Sequence, residues 1–304
     1  MPKKYSALSQ SDVDHFLEKG YILVENCIPR ELAEEWKAFA YERLVDYDPE
    51  DPTTWKEERV HLPEMKSLPI RDAAPRMYDA ACDLLGGEER LADDIMGGNE
   101  NMRLRDGFII NFRQGADRPW EPPSATTGSR TWHKDGDLFK HFLDSREMGL
   151  LTVAIWSDIL PQSGGTFIAC DSIKHVAQRL YEHPEGIMPD GFGDLIHKCE
   201  DFVEITGNTG DVALAHPYML HEASQNPSGR PRFLTNRPIA LKDPMDFNRD
   251  DPDDFSPVEL AVLRGLGLER LDFKIAAPRE DLMSEREIQA QKTLAAQKAR
   301  LGLS

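Results

Sequence analysis

The stretch GDVALAHPYMLHEASQNPSGRPRFLTNRPIAL, residues 210–241, contains two β-rich runs separated by proline, asparagine, serine and glycine. The two runs are DVALAH and RPRFLTNRPIAL. Runs of the same kind recur from about residue 103 onward: RLRDGFIINF, MGLLTVAIW, GTFIAC and FVEITG. Many short strands with such punctuation are typical of an all-β sandwich or barrel. The sequence therefore predicts a mainly β core.

Helical segments flank this core on both sides. Helical periodicity predicts helices at 9–19, 30–46 and 71–85, and then in SPVELAVLRGLGL and SEREIQAQKTLAAQKARLG. YILVEN, after Gly20, is typical of a buried strand, and a proline- and charge-rich connector covers 48–64. Because no flexible linker separates these segments, we expect one domain over residues 1–304. Its parts are N-terminal helices and an edge strand in 1–100, the β core in 101–242, and a C-terminal loop and helices in 243–304.

The chain is acidic, with 36 basic and 54 acidic residues and a net charge of −18. This excess disfavours nucleic acid and anionic membranes as partners, and no apolar run approaches the length of a membrane span. The N-terminus has two lysines but no apolar run behind them, so we expect no secretory signal and a cytoplasmic location. The cysteines form no C-x-x-C pair, so we expect free thiols at Cys27, Cys82, Cys170 and Cys199.

The motif TWHKDGD, residues 131–137, concentrates side chains that bind metals. On a strand, His133 and Asp135 point to the same face and can converge on one ion. Asp137 would share that face in an unbroken strand, but Gly136 indicates a bend before it. An imidazole and a carboxylate supply two positions of a 2-His-1-carboxylate facial triad, which suits Fe(II) with open coordination positions.

The third ligand has to be a histidine from elsewhere, and residues 210–241 offer two. His216 and His221 are five residues apart and would face opposite sides of a regular strand, so only one of them should point into the site. Arg230 and Arg232 follow at the start of a β-rich run. A guanidinium held in a barrel binds a carboxylate bidentately and keeps its charge at any physiological pH.

Together, these segments resemble the phytanoyl-CoA dioxygenase-like family of Fe(II)/2-oxoglutarate-dependent oxygenases. The resemblance begins in LSQSDVDHFLEKGYILVENCIP and continues through WHKDG and LTVAIWSDILPQSGGTFIACDSIKH. It ends in GDVALAHPYMLHEASQNPSGRPRF, which is similar to the family's pattern of Gly-Asp, His-Pro, His and Arg. The resemblance implies a double-stranded β-helix core, which is a jelly roll of the cupin type.

The resemblance also implies roles for individual residues, with His216 as a structural histidine. The metal ligands would be His133, Asp135 and His221. Arg232 would hold the distal carboxylate of 2-oxoglutarate, with Arg230 as the alternative. Trp156 and Asn111 would line the same cosubstrate pocket.

The implied activity needs Fe(II), 2-oxoglutarate and O2. It would oxidise, and by default hydroxylate, an aliphatic C–H bond of a small-molecule metabolite or natural-product intermediate, with release of succinate and CO2. Desaturation, epimerisation and cyclisation use the same iron core and stay open. So does a non-catalytic jelly roll that binds a metal or ligand, and so does a metal-dependent cupin enzyme without 2-oxoglutarate. Halogenating relatives lack the carboxylate ligand, so Asp135 disfavours halogenation.

Two further segments suggest how the site is covered and how chains associate. The loop QGADRPWEPPSATTGSR, residues 114–130, is long and rich in proline, serine and glycine, which is typical of a binding loop or lid. We expect it to cover the substrate, with Trp120 as one contact. The C-terminal helix carries Ile288, Leu294 and Ala295, which could pack on the chain's own barrel or form a homodimer.

Overall fold

The computed structural model describes residues 5–96, 98–126, 132–283 and 285–303. The α-helices in these ranges are Gln10–Lys19 (α1), Arg30–Arg43 (α2), Ile70–Ala73 (α3), Pro75–Leu85 (α4), Ser172–Glu182 (α5), Pro257–Leu266 (α6) and Glu285–Leu301 (α7). Among the helices of the described ranges, none combines the length and the apolar character that a membrane crossing requires.

The strands are short, as the sequence predicted. In chain order they are Tyr21–Val24 (β1), Arg59–His61 (β2), Ser67–Pro69 (β3), Asp94–Ile95 (β4), Asn99–Glu100 (β5), Arg103–Arg105 (β6), Ile109–Asn111 (β7), Leu150–Ile155 (β8), Thr166–Ala169 (β9), Phe202–Ile205 (β10), Val212–Ala215 (β11), Leu220–Ala223 (β12) and Arg232–Ile239 (β13). The strands β3 and β6 form one small ribbon, and β4 and β5 form another.

Two antiparallel sheets form the core. The major sheet has the strand order β1-β11-β8-β13-β7-β2, and the minor sheet has the order β10-β9-β12. The two sheets are joined through Asn236 of β13, which donates a hydrogen bond to Asp135, and through His133, which pairs with His221 of β12. The arrangement is the predicted jelly-roll core with helical flanks.

Both edges of the major sheet come from the N-terminal hundred residues. The edge strand predicted in YILVEN is β1, which pairs with β11. The opposite edge, β2, falls within the stretch that the sequence indicated as a connector, so that expectation was wrong there. Only Val60 is apolar in this three-residue strand, so the strand shows no alternation of apolar and polar residues from which it could be predicted. Its pairing with β7, with Arg59 opposite Asn111, makes it a strand.

The strand β13 separates two environments because its side chains alternate between the faces of the major sheet. Phe233 and Thr235 point outward to the helices: the Phe233 ring lies 5.5 Å from the ring of Tyr41 in α2. Asn236 points inward, where its amide meets Asp135. Arg232 is four residues before Asn236 and therefore lies on the same inward face.

An aromatic cluster fills the space between the outer face and α2. Trp36 of α2 stacks on Trp156 with ring centroids 5.0 Å apart, and Phe108 meets Trp156 edge-on at 5.3 Å. The indole N–H of Trp156 donates to Thr235 Oγ1 at 3.0 Å, so its one polar group is satisfied. These buried rings attach the N-terminal helices to the β core.

The helix ends follow local chemistry. Ser9 caps α1 in a capping box with Asp12, and Gly20 ends that helix in the left-handed conformation at φ 76°. The helix predicted over 71–85 is instead two helices, α3 and α4, which meet at Ala74 (φ −146°, ψ 61°). The break arises because Pro75 disfavours helical backbone in the residue before it.

The cysteines are free thiols, as predicted. Cys27, Cys170 and Cys199 are buried, and burial raises the pKa of each thiol to about 12. Cys82 is half-buried, and burial raises its pKa to about 11. These thiols are protonated at neutral pH and are poor nucleophiles.

His216 is fully buried in the turn between β11 and β12. Its Nε2 lies 3.2 Å from the carbonyl oxygen of Val258 in α6, and its Nδ1 accepts the backbone N–H of Tyr218 at 3.1 Å. Burial lowers the pKa of His216 to about 3, against a smaller opposing effect of the Val258 hydrogen bond. The neutral imidazole therefore ties α6 to the β11–β12 turn.

We expect His216 to destabilise the fold as the pH falls. Because its folded pKa lies below its unfolded value of about 6.5, only the unfolded state gains the proton as the pH drops below that value. The variant His216→Asn lacks this protonation. The difference in unfolding free energy between wild type and variant should therefore shrink by about 2 kcal/mol between pH 7 and pH 5. Urea unfolding at the two pH values measures this.

The control is His197→Asn, which changes an exposed histidine and should leave the pH slope unaltered. Parallel pH profiles for His216→Asn and wild type would contradict the prediction.

Candidate metal centre

A backbone bridge joins the two halves of the predicted site. The His133 N–H donates to the His221 carbonyl at 3.1 Å, and the His221 N–H donates to the His133 carbonyl at 3.0 Å. The two side chains therefore project from the same side, with imidazole centroids 4.4 Å apart. In the part of the chain that the structure describes, His133 belongs to an isolated β-bridge and to none of the strands, in contrast to the strand that the sequence suggested.

Asp135 turns back toward both imidazoles. Its Oδ1 lies 3.3 Å from His133 Nε2, and its Oδ2 lies 3.6 Å from His221 Nε2. One ligand atom from each of the three residues falls within 4.8 Å of the others. In the described part of the chain, this is the cluster of histidine, cysteine and carboxylate side chains that has metal-binding geometry.

The donor set fits a metal ion. His221 Nε2 is buried and has no hydrogen-bond partner among the described residues, although burying such an atom unpaired is costly. The other ring nitrogen, Nδ1, lies 3.2 Å from the Met219 carbonyl, so it carries the proton and leaves the Nε2 lone pair for a metal. Two imidazoles and one carboxylate with open positions suit Fe(II).

The pKa of Asp135 supports this geometry. Burial alone would raise the pKa of this carboxyl, but the neighbouring imidazoles of His221 and His133 outweigh it and hold the pKa well below its usual range. Asp135 is therefore ionised at neutral pH, the state in which a carboxylate can bind a metal ion.

Lys134 fixes the loop between the candidate ligands His133 and Asp135. No sequence pattern indicated this lysine. Its buried Nζ lies 2.7 Å from His141 Nδ1 and 3.2 Å from the Asp135 carbonyl oxygen. Burial lowers the pKa of Lys134 to about 7, against the opposing charge of Asp135. Aromatic rings surround the ammonium group at 5.7–5.8 Å: Phe139, Phe192 and Tyr218.

The expected bend at Gly136 separates the two aspartates of the motif. Gly136 has φ +122°, and a Cβ there would lie 2.5 Å from His141 Cε1. The carbonyl of Gly136 also accepts from His141 Nε2 at 3.0 Å. Asp137 follows this bend, is exposed and stands outside the metal-ligating cluster.

Arg232 is a buried cation without an acidic partner among the described residues. Its Nε donates to the Gly164 carbonyl at 2.6 Å, and its Nη1 donates to the Ile109 carbonyl at 3.2 Å. Burial, and secondarily the charge of Arg59, lowers the pKa of Arg232 to about 9. The guanidinium is oriented by neutral carbonyls and stays charged at neutral pH, so an anionic ligand is the natural partner for its remaining N–H groups.

The structure separates the two candidate arginines and places Asn111 beside one of them. Arg230 is exposed in the loop before β13. Asn111 of β7 lies directly opposite Arg232 in the ladder. Its Nδ2 donates to the Ser224 carbonyl at 3.0 Å and its Oδ1 accepts the Gln114 N–H at 2.9 Å, so the amide mainly closes one end of the barrel.

Trp156 does not join the site, and its expected role as a cosubstrate contact is corrected. Its indole is bonded to Thr235 and stacked on Trp36, on the outward face of the major sheet. The candidate metal ligands lie on the inward side of this sheet, where Asn236 contacts Asp135. The aromatic side chain is therefore part of the core between sheet and helix.

The predicted lid is attached to the barrel over its described part, while residues 127–130 lie outside the described ranges. Gln225 Nε2 donates to the carbonyls of Gly115 and Pro119 at 3.1 and 3.0 Å. Trp120 packs edge-on against Phe167, with centroids 6.1 Å apart. Phe167 pairs with Glu222 and so faces away from the side that bears His221. Trp120 is thus no substrate contact, contrary to expectation.

The family model described as phytanoyl-CoA dioxygenase (PhyH) matches residues 16–234, more than two thirds of the chain and all three ligand positions. None of the curated proteins compared matches the chain.

Several solved structures are similar to the chain. EctD from S. alaskensis, with 2-oxoglutarate and 5-hydroxyectoine, is 18% identical over 76% of each chain, with a TM-score of 0.43. AviO1 from Streptomyces viridochromogenes Tue57 is 13% identical over 79% of this chain and 100% of its own, with a TM-score of 0.44. HygX from Streptomyces hygroscopicus, with nickel and 2-oxoglutarate bound, is 16% identical over 76% of this chain and 86% of its own, with a TM-score of 0.40.

We expect Asp135→Ala to weaken metal binding by more than about 100-fold, because losing a ligand exceeds the ~10- to 100-fold cost of losing an outer hydrogen-bond partner. Anaerobic calorimetric titration with Fe(II) measures the affinity. The matched variant Asp137→Ala removes the other aspartate of the motif and should keep the wild-type affinity. Equal losses in the two variants would argue against the assignment.

Proposed function

The chain belongs to the phytanoyl-CoA dioxygenase family of non-haem Fe(II)/2-oxoglutarate-dependent oxygenases, and on this premise we propose that it hydroxylates an aliphatic C–H bond of a small molecule, a metabolite or natural-product intermediate. Succinate and CO2 would be the co-products. The observation that carries the proposal is the buried Nε2 of His221, which has no hydrogen-bond partner and converges with ligand atoms of His133 and Asp135.

The protein supplies the geometry for this reaction. Iron, when bound, supplies the oxidising chemistry by coupling the decarboxylation of 2-oxoglutarate by O2 to C–H oxidation. His133, Asp135 and His221 would hold the metal ion, and this set of three protein ligands would leave coordination positions for cosubstrate and O2. Asp135 also fills the position that a halide needs in halogenating relatives, which favours oxygenation over halogenation.

Arg232 is our candidate for holding the distal carboxylate of 2-oxoglutarate. It shares the inward face of β13 with Asn236, which contacts Asp135. It is fully buried, and the carbonyls of Gly164 and Ile109 fix its orientation before any ligand arrives. A preoriented, desolvated guanidinium pairs with a carboxylate at little cost in side-chain entropy.

We expect Arg232→Ala to weaken 2-oxoglutarate binding by about 2 kcal/mol or more, which is ~30-fold, because truncation leaves a desolvated carboxylate unpaired. Arg232→Lys should recover part of the affinity, since it restores charge without the bidentate fork. Calorimetric titration of 2-oxoglutarate into metal-loaded protein measures both.

Arg230→Ala distinguishes the two arginines. Because Arg230 is exposed, this variant should bind 2-oxoglutarate as the wild type does. A large loss in Arg230→Ala with wild-type affinity in Arg232→Ala would reverse the assignment.

The proposed reaction is tested by succinate release. Wild-type protein with Fe(II), 2-oxoglutarate and O2 should release succinate above its substrate-free rate when a panel of small metabolites includes the substrate, and the product should gain one oxygen atom by mass. Asp135→Ala should release none. A product that lacks two hydrogens or is an isomer of the substrate would indicate desaturation, epimerisation or cyclisation instead of hydroxylation.

A further inference from the structure

Asn236, at the centre of the major sheet, contacts a candidate metal ligand. Its Nδ2 donates to Asp135 Oδ2 at 2.8 Å. The orientation of the amide follows from chemistry, because an ionised carboxylate only accepts hydrogen bonds and so has to face the NH2 group.

We propose that Asn236 is a positioning residue that holds Asp135 Oδ2 and thereby leaves Oδ1 as the single metal-binding oxygen of this carboxylate. The inference rests on the proposed function, since it assumes that Asp135 binds the metal. It concerns a residue that neither the sequence motif nor the resemblance indicated.

The sheet keeps Asn236 in place. It lies within the longest ladder of the molecule, where β13 pairs with β8 over six residues and Asn236 stands opposite Val153. Toward its start, β13 also pairs with β7. A donor at the centre of a six-stranded sheet cannot follow the carboxylate if the carboxylate rotates, so the hydrogen bond limits the rotation of Asp135.

The two oxygens of Asp135 therefore have different environments. Oδ2 accepts the Asn236 amide and lies 3.6 Å from His221 Nε2, whereas Oδ1 lies 3.3 Å from His133 Nε2. A carboxylate that binds through both oxygens would take a fourth coordination position. The proposed chemistry needs three open positions, two for 2-oxoglutarate and one for O2, so holding one oxygen away preserves them.

A purely structural role for Asn236 predicts something different. The amide would then only link β13 to the loop at Asp135, and its loss would lower stability without a specific effect on ligands. Asn101 provides a matched control: it is a buried asparagine whose Nδ2 donates to the carbonyls of Ala92 and Ala240, just beyond the end of β13, at 2.9 Å each.

The experiment compares Asn236→Leu, which keeps the shape and removes the donor, with Asn101→Ala. Three quantities are measured: the melting temperature, the affinity for Co(II) under anaerobic conditions, and the affinity of Co(II)-saturated protein for 2-oxoglutarate. In Asn236→Leu we expect Co(II) to bind about 10- to 100-fold more weakly. We also expect 2-oxoglutarate to bind the saturated protein about tenfold more weakly, because a second Asp135 oxygen competes for its position.

In Asn101→Ala only the melting temperature should fall. If Asn236→Leu does not fold, Asn236→Ala removes the same donor without adding apolar bulk, and the same affinities are expected. Wild-type affinities for both ligands in a folded Asn236 variant would overturn the inference and leave the proposed function intact. A wild-type protein that binds neither Co(II) nor Fe(II) would instead overturn the proposed function itself.

Discussion

The pair of backbone hydrogen bonds between His133 and His221 is the constraint on which the candidate site depends. It joins the loop that carries two candidate ligands to the minor-sheet strand that carries the third, across 88 residues of sequence. Peptide groups make these bonds, so the relative position of the two imidazoles is set by the chain before any ion binds. Lys134 and the bend at Gly136 then decide where Asp135 points. The metal position is in this sense a property of the folded backbone.

The strand β13 connects this constraint to the stability of the whole core. Its outward side chains, Phe233 and Thr235, belong to the aromatic cluster of Trp156 and α2. Its inward side chains include Asn236, which contacts Asp135, and Arg232, which we propose as the cosubstrate contact. A change in the register of this strand by one residue would exchange the two sets, placing apolar rings in the site and charge against the helices. Core packing and site geometry are therefore specified by the same pairing with β8.

Sequence patterns predicted the parts of the fold that depend on local chemistry. The helix α1 and the β-rich core follow from residue spacing and from the pattern of short β-rich runs, and the convergence of His133, Asp135 and His221 follows from the motif and from the resemblance to the family. The predictions that failed depend on which face of a sheet a side chain occupies. Trp156 and Trp120 lie on faces turned away from the candidate ligands. Which face of a sheet a residue occupies is known only when the register of its strand is known. Asn236 was missed for the same reason, because its contact with Asp135 spans 101 residues and no local pattern indicates it.

Arg232 has a consequence for the protein beyond catalysis. Among the described residues its buried charge meets neutral carbonyls and no acidic side chain, so the folded protein holds a desolvated cation that the unfolded protein would hydrate. The binding energy of an anion at this position would add to the folding energy, by about 2.7 kcal/mol at a free concentration one hundred times its dissociation constant. With 2-oxoglutarate as that anion, as proposed above, the folded chain would become harder to unfold as the concentration of its own cosubstrate rises.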